Sequence, residues 1–97
     1  MHRFGGNGLY ILDEPEAALS PMRQMALLSR IHDLVQQDSQ FVITTHSPII
    51  MAYPHAQILV LSDKGIAPTA YMDTEHYLVS REFLTNPQRM TQRLMTD

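Results

Sequence analysis

With 97 residues the chain has room for one domain at most, and a domain of that size buries roughly 60–65% of its unfolded surface, enough for a modest core. Seven Lys and Arg stand scattered against ten Asp and Glu, so nucleic-acid binding by this segment is not indicated, and the lack of cysteine excludes disulfides, thiol nucleophiles and thiolate zinc sites. No apolar run approaches the ~20 residues of a membrane span and the opening Met-His-Arg-Phe-Gly-Gly-Asn-Gly has no apolar leader, so a cytoplasmic protein without membrane partners is expected.

Gly5, Gly6 and Gly8 make a turn ahead of Leu9–Leu12, an unbroken apolar run that suits a strand covered on both faces. Two acids, Asp13 and Glu14, close that run. Ser20 followed by Pro21 starts a helix, with a capping hydroxyl and a proline where no amide hydrogen is needed, and the helix is expected to reach about Gln37. Its apolar stripe reads Met22, Met25, Ala26, Leu28, Ile31, Leu34 and Val35, which makes Met22 and Met25 core fillers, and Met51 another. Phe41–Thr45 is β-branched and apolar enough for a second buried strand, parallel to the first in a βαβ unit.

Pro48 begins a short helical turn through Met51. Gln57–Ser62, the Asp63-Lys64-Gly65 turn and Ile66–Met72 read as a hairpin, and Tyr77–Leu84 and Gln88–Met95 as two closing helices, the second capped at Asn86-Pro87. The fold class is therefore α/β, a parallel βαβ core followed by a β-hairpin and C-terminal helices. The whole of 1–97 reads as one unit.

Parallel strands would deliver Asp13, Glu14 and His46 to one sheet edge. Magnesium binds through one or two carboxylates and leaves the rest of its shell to water and substrate phosphates, which suits Asp13 at the tip of a hydrophobic strand. A neighbouring group must orient or deprotonate the attacking water, and Glu14 is the candidate. His46 can hydrogen-bond a terminal phosphate or that water. Taken singly, each has a plainer reading: two acids at a strand end are commonly just solvated, and a lone histidine is commonly structural. His2, His32, His55 and His76 lack ligand-like spacing and read as surface residues, and Arg89 with Arg93 reads as a wet helix face.

The combination is more specific than its parts. Four apolar residues before Asp13-Glu14-Pro15 resemble the Walker B motif of ABC-type ATPases, Glu16-Ala17-Ala18-Leu19-Ser20 resembles their D-loop, and Thr45-His46-Ser47-Pro48 resembles their switch-histidine loop. The order, and the 32 positions from Glu14 to His46, match the family as well. Ala-Ala-Leu-Ser-Pro departs from the transporter D-loop and resembles the soluble chromosome-maintenance-like branch. Asp73-Thr74-Glu75-His76-Tyr77, Arg81-Glu82-Phe83-Leu84 and Asn86-Pro87 resemble the C-terminus of one bacterial subgroup.

The resemblance implies a partial P-loop NTPase fold, the C-terminal portion of a single ABC-type nucleotide-binding domain, with ATP as substrate, Mg²⁺ as cofactor and a homodimer as the working form. It assigns metal binding to Asp13, catalysis to Glu14 and His46, and nucleotide contact to Asp13, Ser20 and His46. Neither a Gly-x-x-x-x-Gly-Lys-Ser/Thr phosphate loop nor a Leu-Ser-Gly-Gly-Gln signature occurs, so an N-terminal Walker A half is an expected partner and the isolated chain is expected to bind ATP poorly. Two rivals stand beside this reading. One is a non-catalytic, self-associating interaction module; the other is a magnesium or manganese hydrolase that uses Asp13, Glu14 and His46 without a phosphate loop.

Overall fold

Leu9–Asp13 forms strand β1 and Gln40–Thr44 forms β2, and the two pair in parallel from Leu9 opposite Gln40 to Asp13 opposite Thr44. Between them Pro21–Gln36 forms helix α1, which packs against β2 and against a 3₁₀ turn at Ile50–Ala52. These assignments come from a computed structural model, which describes residues 8–96. His2 and the expected turn at Gly5-Gly6-Asn7 lie outside the described residues.

The chain divides into two units, the first ending at Pro54 and the second beginning at His55. In the first, Tyr10, Ile31, Leu34 and Ile50 are the buried apolar side chains among the described residues. In-register partners point to the same side of a sheet, so Tyr10 and Phe41 share a face, and their rings stack at 4.8 Å between centroids. The other face carries Leu9, Ile11 and Val42, all exposed, with Ile11 at 61%. The expectation of cover on both faces is thus met on one side only, because among the described residues of this unit a single helix packs on the strand pair.

The ends of α1 are fixed by local chemistry. Ser20 Oγ accepts from the Arg23 amide at 3.2 Å, as an N-cap should, and Pro21 takes the first helical position. At the other end the Asp38 amide donates to Val35 and the Ser39 amide to Leu34, both at 3.0 Å, with Asp38 at φ 64. That is a Schellman ending, with an aspartate at the left-handed position that glycine adopts without steric penalty. Asp38→Gly is therefore expected to stabilise this unit by about 0.5–1 kcal/mol, read from the urea midpoint. A lower midpoint would mean that the aspartate side chain is needed there.

The inward stripe of α1 consists of Ile31 and Leu34, which are buried, and Gln24, Leu27, Leu28 and Val35, which are half-buried. Met22 and Met25 are exposed, not core fillers, and Met51 is half-buried. They stand nine and six residues before Ile31, roughly 180° and 120° around a 3.6-residue helix, so the first part of the apolar series read from sequence, Met22, Met25 and Ala26, falls off the packed face, whereas Leu28, Ile31, Leu34 and Val35 lie on it.

In the second unit Leu59–Ser62 (β3) and Gly65–Pro68 (β4) form an antiparallel hairpin across Asp63-Lys64, with Gly65 at φ 114. The second strand is shorter than Ile66–Met72. The Thr69 amide still donates to the Ile58 carbonyl at 2.9 Å, and Tyr71–Asp73 then turns into a 3₁₀ segment. Glu75–Thr85 (α2) and Pro87–Met95 (α3) are the expected closing helices. Thr74, almost fully buried, caps α2 by accepting from the Tyr77 amide at 3.2 Å. The architecture is a mixed α/β one: a parallel strand pair, a hairpin and C-terminal helices.

Candidate functional site

Register places the acid pair. Asp13 ends β1 opposite Thr44, the last residue of β2, so the residues that follow each strand leave from the same edge of the sheet. The Thr44 hydroxyl donates to Asp13 Oδ1. It also accepts from the Glu14 amide at 3.2 Å, while the Thr44 carbonyl accepts from the same amide at 2.8 Å. One threonine thus holds the Asp13 carboxylate and the Glu14 backbone together.

Glu14 departs from β1 in the left-handed region, at φ 45 and ψ 58, and its carbonyl accepts from the Ala17 amide at 3.1 Å. A bulky residue in that conformation costs on the order of 1–3 kcal/mol and persists only where its surroundings enforce it. The turn that follows, Pro15–Ala18, is 3₁₀ and brings Glu16 back towards the loop after β2. Both acids of the doublet are exposed.

Two crossbars then join the segment after β1 to the segment after β2. Glu16 Oε1 accepts from the Thr45 hydroxyl at 2.7 Å and Oε2 from the His46 amide at 2.9 Å. Burial pushes the Glu16 carboxyl up, but the His46 amide, the Thr45 hydroxyl, its own backbone amide and the charge of His46 together outweigh that, and its pKa lies below the ordinary glutamate value. The second crossbar starts from α1: Gln24 Nε2 donates to the Leu19 carbonyl at 3.2 Å, and Gln24 Oε1 accepts from the Ser47 hydroxyl. Ser47 Oγ accepts in turn from the amides of Ile49 and Ile50, at 3.1 and 3.2 Å.

Asp13, Glu14 and the His46 backbone therefore belong to one sheet edge, as the spacing implied. Ser20 lies farther along as the cap of α1. Among the described residues no group of three or more His, Asp or Glu is placed to hold a metal by itself. Magnesium takes few protein ligands and keeps several waters, so an exposed Asp13 with one oxygen engaged by Thr44 suits an ion shared with a phosphate substrate.

Glu16 and Thr45 stood out in the sequence only as members of the D-loop-like and histidine-loop motifs, and neither they nor Gln24 and Thr44 were assigned a role. The one available signal was composition: a third acid two positions after the doublet, and two threonines before the histidine, are more hydrogen-bonding capacity than a solvated loop needs.

A family model described as an AAA ATPase domain matches residues 3–51, just over half of the chain. The match ends three residues short of the first unit's boundary at Pro54 and so contains every group of this site. No curated protein matches the chain. Among the described residues no helix is long and apolar enough to cross a membrane.

Proposed function

The chain belongs to the AAA ATPase domain family, and we propose that it carries the water-activating and phosphate-sensing part of a magnesium-dependent ATPase of the ABC-type, chromosome-maintenance-like branch. The observation that carries this reading is the register of β1 and β2, which sends an acid doublet and a histidine loop from one sheet edge with Thr44 binding the two acids to it.

In this reading Asp13 holds magnesium through water, its carboxylate fixed by the Thr44 hydroxyl. The ion, when bound, supplies charge neutralisation to the phosphate oxygens. Glu14 takes the proton of the attacking water, or orients that water, from a backbone that Thr44 and Ala17 hold in place. His46 hydrogen-bonds the terminal phosphate, and Ser20 lies in the D-loop-like segment that reaches across a dimer of such domains. The phosphate loop comes from an upstream half of the same protein, and the 97-residue chain alone binds ATP weakly.

Mg·ATP binding and turnover, measured for this chain with and without a phosphate-loop-bearing half, test the proposal. With that half present, turnover appears, and Asp13→Asn raises the Mg²⁺ concentration for half-maximal rate about tenfold or more. Metal-dependent hydrolysis by the chain alone would replace this reading by a hydrolase without a phosphate loop. The non-catalytic alternative has one observation in its favour, the open apolar face of Leu9, Ile11 and Val42. It requires concentration-dependent self-association with no nucleotide binding in either form.

A further inference from the structure

Glu16 is the one acid near the strand edge to which the proposed reaction gives no task. Its geometry is nonetheless the most constrained of the three. Its two oxygens are divided between consecutive residues of the opposite loop, Thr45 and His46, at 2.7 and 2.9 Å. A carboxylate that receives a backbone amide makes a charge-assisted bond, about twice as strong as a neutral one, and two such bonds from adjacent residues fix direction as well as distance. The Thr45 hydroxyl also accepts from the Ser47 amide at 3.0 Å, so the carboxylate, the threonine and the next turn of backbone form one continuous network.

The other half of the loop has its own anchor. Ser47 is tied to Gln24 on α1 and to the amides of Ile49 and Ile50, independently of Glu16. Loss of Glu16 would therefore loosen Thr45 and His46 while leaving the downstream turn attached. On its own side Glu16 is rigidly placed, two residues beyond Glu14 in a 3₁₀ turn that the Glu14 carbonyl closes.

We infer that Glu16 is a positioning residue, whose carboxylate bridges Thr45 and the His46 amide and so sets the station of His46 relative to Asp13 and Glu14. A displacement of the segment 15–19 is passed to His46 through that bridge. The bridge itself is independent of the ATPase reading, whereas its effect on turnover rests on it.

Glu16→Ala, Glu16→Gln and Thr45→Val separate the two. In the 97-residue chain, hydrogen exchange of the His46 amide is expected to quicken about tenfold in Glu16→Ala. Glu16→Gln should recover most of the protection, since its carbonyl can accept from the His46 amide and its amide can donate to the Thr45 oxygen. Thr45→Val, which keeps the His46 bond and loses the other, should fall between. In the ATP-hydrolysing assembly Glu16→Ala should lower kcat about tenfold with KM for ATP within about twofold, and Glu16→Gln should restore it.

Unchanged exchange in Glu16→Ala would overturn the bridge, whatever turnover did. Faster exchange with an unaltered kcat would overturn its role in turnover. An unsubstituted assembly that hydrolyses no ATP would remove the ATPase reading and with it the kinetic half of the inference, the bridge then being decided by exchange.

Discussion

Glu14→Gln is expected to lower ATP turnover of the phosphate-loop-bearing assembly by about 10²-fold or more while Mg·ATP remains bound. The expectation follows from what the substitution leaves alone. Glutamine matches glutamate in size and takes the same backbone, which is set by the Glu14 amide on Thr44 and the Ala17 amide on the Glu14 carbonyl. The left-handed conformation at φ 45 costs either residue the same, so stability should not move. What is lost is the one property that a general base requires, an available lone pair on an ionised carboxylate. A nucleotide-retention assay alongside single-turnover hydrolysis separates the two effects. Hydrolysis at the unsubstituted rate would remove Glu14 from the reaction.

The same position bears on why a glutamate stands there at all. Glycine would occupy a left-handed site without the Cβ penalty, and asparagine with little. A residue that is costly for the backbone, at the end of a strand whose partner's last threonine contacts it, is better explained by its carboxylate than by its conformation.

Much of the first unit was legible because its signals are local. The apolar run ending at Asp13, the Ser20-Pro21 start and the β-branched Phe41–Thr45 each act within a few residues, and all three elements formed within a residue or two of their expected bounds. The face of α1 was misread at Met22 and Met25 for a physical reason. The stripe passes through Gln24, a polar residue that turns inward because it finds the Leu19 carbonyl and the Ser47 hydroxyl, and the latter is 23 residues away. Glu16 stayed hidden likewise, its partners being 29 and 30 residues off. Periodicity reports which residues avoid water; it carries no sign of a polar side chain whose partner arrives from another part of the chain. In the second unit the apolar pattern ran on to Met72, but the Asp73 and Thr74 amides donate back to the Ala70 and Tyr71 carbonyls, and that local 3₁₀ turn takes the chain out of the ladder.

Leu34→Ala should be among the most damaging single changes in the first unit, costing about 2–5 kcal/mol. Leu34 is only 4% exposed and stands one turn from Ile31, equally buried, on the side of α1 that faces the strand pair. Its carbonyl receives both the Gln37 and the Ser39 amides, so the helix ending depends on its backbone, which alanine preserves. The loss is therefore one of packing alone: three carbons leave a core in which, among the described residues, only Tyr10, Ile31 and Ile50 are comparably covered. Small domains are stable by about 5–15 kcal/mol and units of this size lie near the lower end, so the variant should unfold at a much lower urea concentration and lose the sheet edge that holds Asp13 and Glu14. Met22→Ala is the matched control, since Met22 is 75% exposed and its truncation should stay within about 0.5 kcal/mol. Denaturation of both, followed by circular dichroism, tests the phase of the helix directly: equal midpoints would place Leu34 outside the core, whereas a large separation ties the acid edge to a helix face that the methionines do not share.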